Sequence, residues 1–158
     1  MISKPKAAMA LLILFSHAAG AADGERQGDY WYIQTSAYTR HWSHDPEHNN
    51  HQELVGLERV YTDGLLWGAA TFKNSFYQRS YYAYLGKVWE HERYPVYIKL
   101  SGGLLEGYKG DYQDKIPLNH LGVAPVLIPS FGAHWGPVGA EFVVLGAAAG
   151  MVNVGLRF

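Results

Sequence analysis

The chain has 158 residues, a formal net charge of −1, no cysteine, and an aromatic content raised by twelve Tyr and five Trp. A near-neutral chain carries no electrostatic footprint for nucleic acid, and one without cysteine can hold neither disulfide staples nor thiolate chemistry. Residues 1–22 contain Lys4 and Lys6, an apolar core over 7–15, and the small residues Ala19-Gly20-Ala21. That is the pattern of a cleaved secretory signal, which leaves residues 23–158 as one exported domain. No later stretch is a long uninterrupted apolar helix, so a membrane location requires a closed barrel of strands. A soluble periplasmic β-sandwich is the competing architecture.

Extended runs follow at 31–41, 54–61, 65–75, 78–89, 95–108, 120–128, 131–145 and 149–158. Eight is an even number, so an antiparallel barrel closes with both termini on the periplasmic side. The third run leaves Asp63-Gly64, a hairpin signal whose two central positions are expected at positive φ. About ten residues at ~3.3 Å each, tilted by ~45°, cross the apolar slab and bring Lys73, Asn74 and Ser75 to the external rim. By the same topology the end of the first run, with Arg40 and His41, emerges at that rim. The last run places Val152, Val154, Leu156 and Phe158 on one face, and Asn153, Gly155 and Arg157 on the other. An apolar outer face and a polar inner face are what a closing barrel strand needs.

The connections at 42–53 and 109–116 are long and polar, whereas those at 62–64, 90–94 and 129–130 are short, the asymmetry of external loops and periplasmic turns. Pro117, Pro125, Pro129 and Pro137 cluster around the sixth and seventh runs, where each removes a possible ladder N–H. The wall there should be weakly paired and open to a lipid from the side. The expected fold is therefore all-β: an eight-stranded antiparallel transmembrane β-barrel of the outer membrane.

The first external loop holds His41, His44, His48 and His51 with Asp45 and Glu47. So many imidazoles and carboxylates raise the question of a metal. Pro46 and the Asn49-Asn50 pair argue against the helix that would gather them, and no known metal motif is present. A polar loop facing lipopolysaccharide head groups accounts for most of them, and no metal or cofactor is expected. For nucleophilic or acid–base chemistry the set is His41 with Asn74 and Ser75. A serine hydroxyl needs a neighbouring base, usually a neutral imidazole, and an amide or hydroxyl can stabilise an oxyanion.

Phe72-Lys73-Asn74-Ser75 resembles the Phe-Lys-Asp-Ser segment of the PagP family, the lipid A palmitoyltransferases of the outer membrane. The block from Pro125 to Gly132, continuing through Gly136-Pro137-Val138, is similar to that family's proline-rich passage. Val55-Gly56-Leu57-Glu58-Arg59 resembles its second strand, and Arg157-Phe158 fits its last. The resemblance implies a barrel that moves a palmitoyl-type chain from a phospholipid donor to a lipid A acceptor, working among outer-membrane lipids as a monomer. It implies catalytic roles for His41, with His44 as the other candidate, for Asn74 in the place of an aspartate, and for Ser75. Ser75 either positions the oxyanion or is itself acylated. Gly86 falls where the family keeps the floor of its acyl pocket, so a methyl there should shorten the preferred chain. The family's second gap, between the first two strands, is not evident in the sequence. The alternatives are a non-enzymatic barrel with a structural, adhesive or transport role, and a lipid hydrolase of the same membrane.

Overall fold

The computed structural model describes residues 28–43, 46 and 48–158. The expected signal segment and its boundary at residue 23 lie outside the described residues, as do His44, Asp45 and Glu47.

Eight strands form one closed antiparallel barrel in chain order: β1 (Tyr30–His41), β2 (Val55–Val60), β3 (Leu65–Lys73), β4 (Arg79–Glu90), β5 (Val96–Glu106), β6 (Val123–Trp135), β7 (Val138–Leu145) and β8 (Ala149–Arg157). Side chains alternate across each strand, and the alternation is inverted relative to a water-soluble sheet. Leu85, Ile98 and Leu127 on the outer wall are 70%, 60% and 66% exposed, while Glu58, Lys99 and Glu141 inside are 2%, 6% and 3% exposed. An apolar exterior around a polar interior suits lipid and excludes the soluble sandwich.

The interior is layered. Across its middle, the Lys99 ammonium lies 2.8 Å from both Glu58 Oε1 and Glu141 Oε1. Gln34 and Tyr84 donate to Glu58, Tyr97 donates to Glu141, and Asn153 donates to Gln34 Oε1. Two carboxylates and one ammonium out of water are tolerable only with such a full set of partners. Above this layer the lumen is apolar, with Leu54, Val143 and Met151 packed against Ala70, Phe72, Ile128 and Leu145.

The turn at Asp63-Gly64 joins β2 to β3 as expected, but its geometry differs. Of Asp63 and Gly64 only Gly64 has positive φ, at 84°. Gly64 N–H donates to Tyr61 C=O, Tyr61 N–H donates to Leu65 C=O, and the Asp63 carboxylate accepts from Leu65 N–H. A type I turn closed by a left-handed glycine needs one such residue rather than two. The second difference is at the sixth strand. Pro129-Ser130 is not a turn: β6 runs through it, with Pro129 opposite Leu100 and Pro125 opposite Leu104 in an unbroken ladder with β5. The turn lies at Gly136-Pro137, where Gly136 has φ 56°.

Both prolines fit because of where the ladders stop. The β6·β7 ladder covers only Ser130–Trp135 against Val138–Val143, so residues 123–129 have no rungs to β7. Since the β5 ladder is complete, the missing N–H groups of Pro125 and Pro129 face that empty side, where they cost nothing. The weak wall is therefore present on the β7 side only. A matching gap lies between β1 and β2, contrary to the sequence expectation. Their ladder ends at Thr35 opposite Val55, although β1 continues to His41 along β8. Beyond it the Ser36 hydroxyl accepts from Leu54 N–H, replacing the next rung with a side chain. Both gaps are in the external half.

Candidate active site

Above the β1–β2 gap, residues 49–53 run beside the end of β3. Lys73 N–H donates to Gln52 C=O, Asn49 N–H donates to Ser75 C=O, and the Asn49 amide donates to Asn74 C=O. Gln52 donates back to Asn49 C=O, and Asn49 Oδ1 accepts from His51 N–H. The result is a ledge whose own polar groups are satisfied, with Asn49 and Gln52 buried. At its outer edge Glu53 takes φ 47° and pairs with Lys73 at 3.0 Å. The hydrogen bond from Lys73, then its charge, holds the Glu53 carboxyl below the ordinary carboxylate range.

The ledge, β1 and the segment after β3 bring three side chains together. His41, last in β1 and 9% exposed, has Nε2 2.7 Å from Ser75 Oγ and Nδ1 2.8 Å from Asn50 Oδ1. Its ring lies 4.7 Å from the His48 ring, which meets Phe76 edge-on, and Phe76 stacks on Tyr112 at 4.1 Å. Aromatic groups from three loops thus cover the pair. Tyr108, just past β5, completes the surroundings. Burial raises its phenol above the usual tyrosine value, while hydrogen bonds to the Ser75 hydroxyl and backbone pull the other way. The same Tyr108 lines a cavity of about 280 Å³ with Glu106, Lys109, Gln113, Leu121 and Val123 at the external mouth.

No protein-family model matches the chain, and no curated protein sequence matches it. Solved structures do share its fold. A de novo designed transmembrane β-barrel aligns with a TM-score of 0.50 and 8% identity, over 85% of this chain and 98% of the other. The outer membrane protein Ail of Yersinia pestis aligns at 0.46 and 16% identity, over 84% and 100%. The N-terminal β-barrel domain of Pseudomonas aeruginosa OprF aligns at 0.40 and 13% identity, over 84% and 98%. This chain has a transmembrane-barrel fold.

Of the residues singled out from the sequence, the barrel joins His41 and Ser75 and sets the other two apart. Asn74 is fully buried behind Ser75. Its Oδ1 accepts from Phe76 N–H and Gln78 N–H, and its amide donates to the Ser80 hydroxyl and Gly107 C=O. Those four bonds hold the hairpin that carries Ser75, and they also explain why an amide stands there. A carboxylate would face the Gly107 carbonyl with no proton to offer. Gly86 lies in the lower half of β4, where an added Cβ would sit 2.5 Å from Leu100 C=O, a backbone atom. The same Cβ would lie 3.3 Å from Leu66 Cδ1, a buried side chain.

Asn50 and Tyr108 were missed. The Asn49-Asn50 pair reads in sequence only as a helix breaker. The available signal was the β2·β3 register, which, continued past Val55 opposite Thr71, brings the residues before Leu54 alongside Ser75. Tyr108 had no signal beyond its place at a strand end. Chemically, a hydroxyl against one imidazole nitrogen with the other nitrogen fixed is an arrangement for proton transfer during acyl chemistry.

Proposed function

We propose that the protein is an outer-membrane acyltransferase that moves a palmitoyl-type chain from a phospholipid to lipid A. The observation that carries this is the 2.7 Å contact between Ser75 Oγ and His41 Nε2 at the end of the barrel where two ladders stop. An ester bond in a lipid leaflet can reach such a dyad only from the side, and the two gaps are the breaks in the hydrogen-bonded wall through which lipids would enter and leave. The apolar lumen beneath the dyad is the environment an acyl chain needs, since each buried methylene contributes ~0.8 kcal/mol. The resemblance of residues 72–75 and 125–138 to the PagP family supports the same substrates.

His41 acts as the base, and the Ser75 hydroxyl is the group it activates. Neither step calls on a metal. A lipid hydrolase would use the same dyad with water as the acceptor, which makes it the second reading. Mass spectrometry of lipid A from Gram-negative cells expressing the barrel tests both. A gain of one acyl chain, absent with Ser75→Ala and His41→Ala, is the expected result. Free fatty acid without acylated lipid A would identify a hydrolase, and neither product from a folded barrel would leave a non-enzymatic role.

A further inference from the structure

We infer that Ser75 is covalently acylated during turnover and that Asn50 is the positioning residue that makes its hydroxyl nucleophilic. The inference rests on the acyl-transfer reading and deepens it.

Among the described residues, the oxygen facing His41 Nδ1 is Asn50 Oδ1. An amide oxygen accepts and cannot donate, so the 2.8 Å contact to Asn50 Oδ1 fixes the ring proton on Nδ1. Nε2 then has a lone pair, and among the described residues the group against it is Ser75 Oγ at 2.7 Å, which donates its proton toward the ring. A base meant for the hydroxyl of an incoming lipid would need Nε2 open; here the serine occupies it. Both ring nitrogens are thus engaged, and one flank of the ring lies against His48. Asn50 is exposed, and it stands between two residues that are held. Its neighbours Asn49 and His51 are tied to each other and, through Asn49, to the backbone of Asn74 and Ser75. The ledge thus fixes Asn50 and Ser75 relative to one another. Serine, histidine and a third group that orients the imidazole make a catalytic triad, with a neutral amide in the third place.

The chemistry balances with the lipids alone. Ser75 Oγ attacks the ester carbonyl of the phospholipid as its proton passes to His41 Nε2. Collapse breaks the ester C–O bond, and the departing glycerol oxygen takes the proton from His41, leaving lysophospholipid and acyl-Ser75. His41 then accepts the proton of a lipid A hydroxyl as that oxygen attacks the acyl-serine. The proton returns to Ser75 as acylated lipid A leaves. Because the imidazolium formed in each half is met by an amide dipole instead of a carboxylate, Asn50 acts through orientation and tautomer.

The test uses the full barrel refolded in detergent–phospholipid micelles containing phosphatidylcholine with a labelled palmitoyl chain. Without lipid A, acid quenching followed by intact and peptide mass spectrometry should find one palmitoyl group on Ser75, released on adding lipid A. Asn50→Ala should slow Ser75 acylation and kcat by on the order of tenfold or more with KM little changed, and Asn50→Asp should restore the rate. Heat-modifiable gel mobility verifies that each variant is folded. Labelled lipid A forming with no acyl-protein, or folded Asn50→Ala acylating at the wild-type rate, would overturn the inference while leaving the transferase standing. Acyl-Ser75 that forms but yields only free fatty acid would support the inference and remove the transferase.

Discussion

The two halves of this barrel are built on different terms. In the periplasmic half every strand is laddered to both neighbours, the lumen is closed by Lys99 between Glu58 and Glu141, and β1 and β8 lock end to end through Trp31 and Phe158. In the external half two of the eight ladders stop short, the lumen is apolar, and side-chain bonds from Ser36, Asn49 and Asn74 hold what the ladder does not. Rungs are uniform and carry no chemistry, whereas a polar side chain placed where a rung is missing can be shaped around a reacting group. The lower half supplies the stability that lets the upper half leave its backbone unpaired.

The largest effect is expected from Lys99→Met. It strands two buried carboxylates, at an expected cost of about 3–5 kcal/mol in a guanidinium titration of the refolded barrel. Replacing all three groups together, Glu58→Leu, Lys99→Met and Glu141→Leu, should recover most of it, because the penalty lies in the unpaired charge. A Lys99→Met barrel as stable as the parent would show that the lower half is not the anchor.

Asn74→Asp probes the upper half. It turns a donor facing Gly107 C=O and Ser80 into an acceptor, and should lower stability by about 1–3 kcal/mol with no gain in transfer. A stable Asn74→Asp barrel with faster lipid A acylation would return Asn74 to the reaction centre. Gly86→Ala separates packing from chain selection. The added methyl meets backbone at Leu100, so a loss of about 1–3 kcal/mol with unchanged acyl length in the product is expected. A shorter chain at full stability would instead make Gly86 the pocket floor that the PagP resemblance implies.

The smallest effect is at the periplasmic turn. Asp29 accepts from the Thr62 hydroxyl and Thr62 N–H and pairs with Arg59, and these, the Thr62 bonds first, hold its carboxyl below the ordinary value. A carboxyl whose pKa is lower folded than unfolded stabilises above the unfolded value and loses that contribution as pH falls through the folded one. Wild type should therefore exceed Asp29→Asn slightly in thermal midpoint at neutral pH. The two should converge below the carboxylate range.

Much of the scaffold was legible because alternation has a strict period of two. Val152, Val154 and Leu156 face out, and Asn153 and Arg157 face in, as their residue types dictate. The first five strands were readable for the same reason. The boundary between β6 and β7 was not, because a proline within a strand looks like a turn until its neighbours are known. The meeting of His41 with Ser75 followed from topology. Asn50 did not, since its role depends on a ledge held by Asn49, His51 and Gln52, and such bonding leaves no periodic trace. The bonding of Asn74 was not legible for a related reason: position beside a serine says nothing about which way an amide points.

The union of the first and last strands carries a kinetic consequence. Gln34 and Asn153, 119 positions apart, are hydrogen-bonded inside the lumen, and nine residue pairs join β1 to β8. Nearly all of the chain must be in place before any of those contacts can form, so the entropy of ring closure falls due before its reward. Until then two strand edges and a charged lumen face the bilayer together. Insertion and closure should consequently run as one slow concerted event, and a polypeptide lacking β8 should stall outside the membrane rather than assemble seven-eighths of a wall.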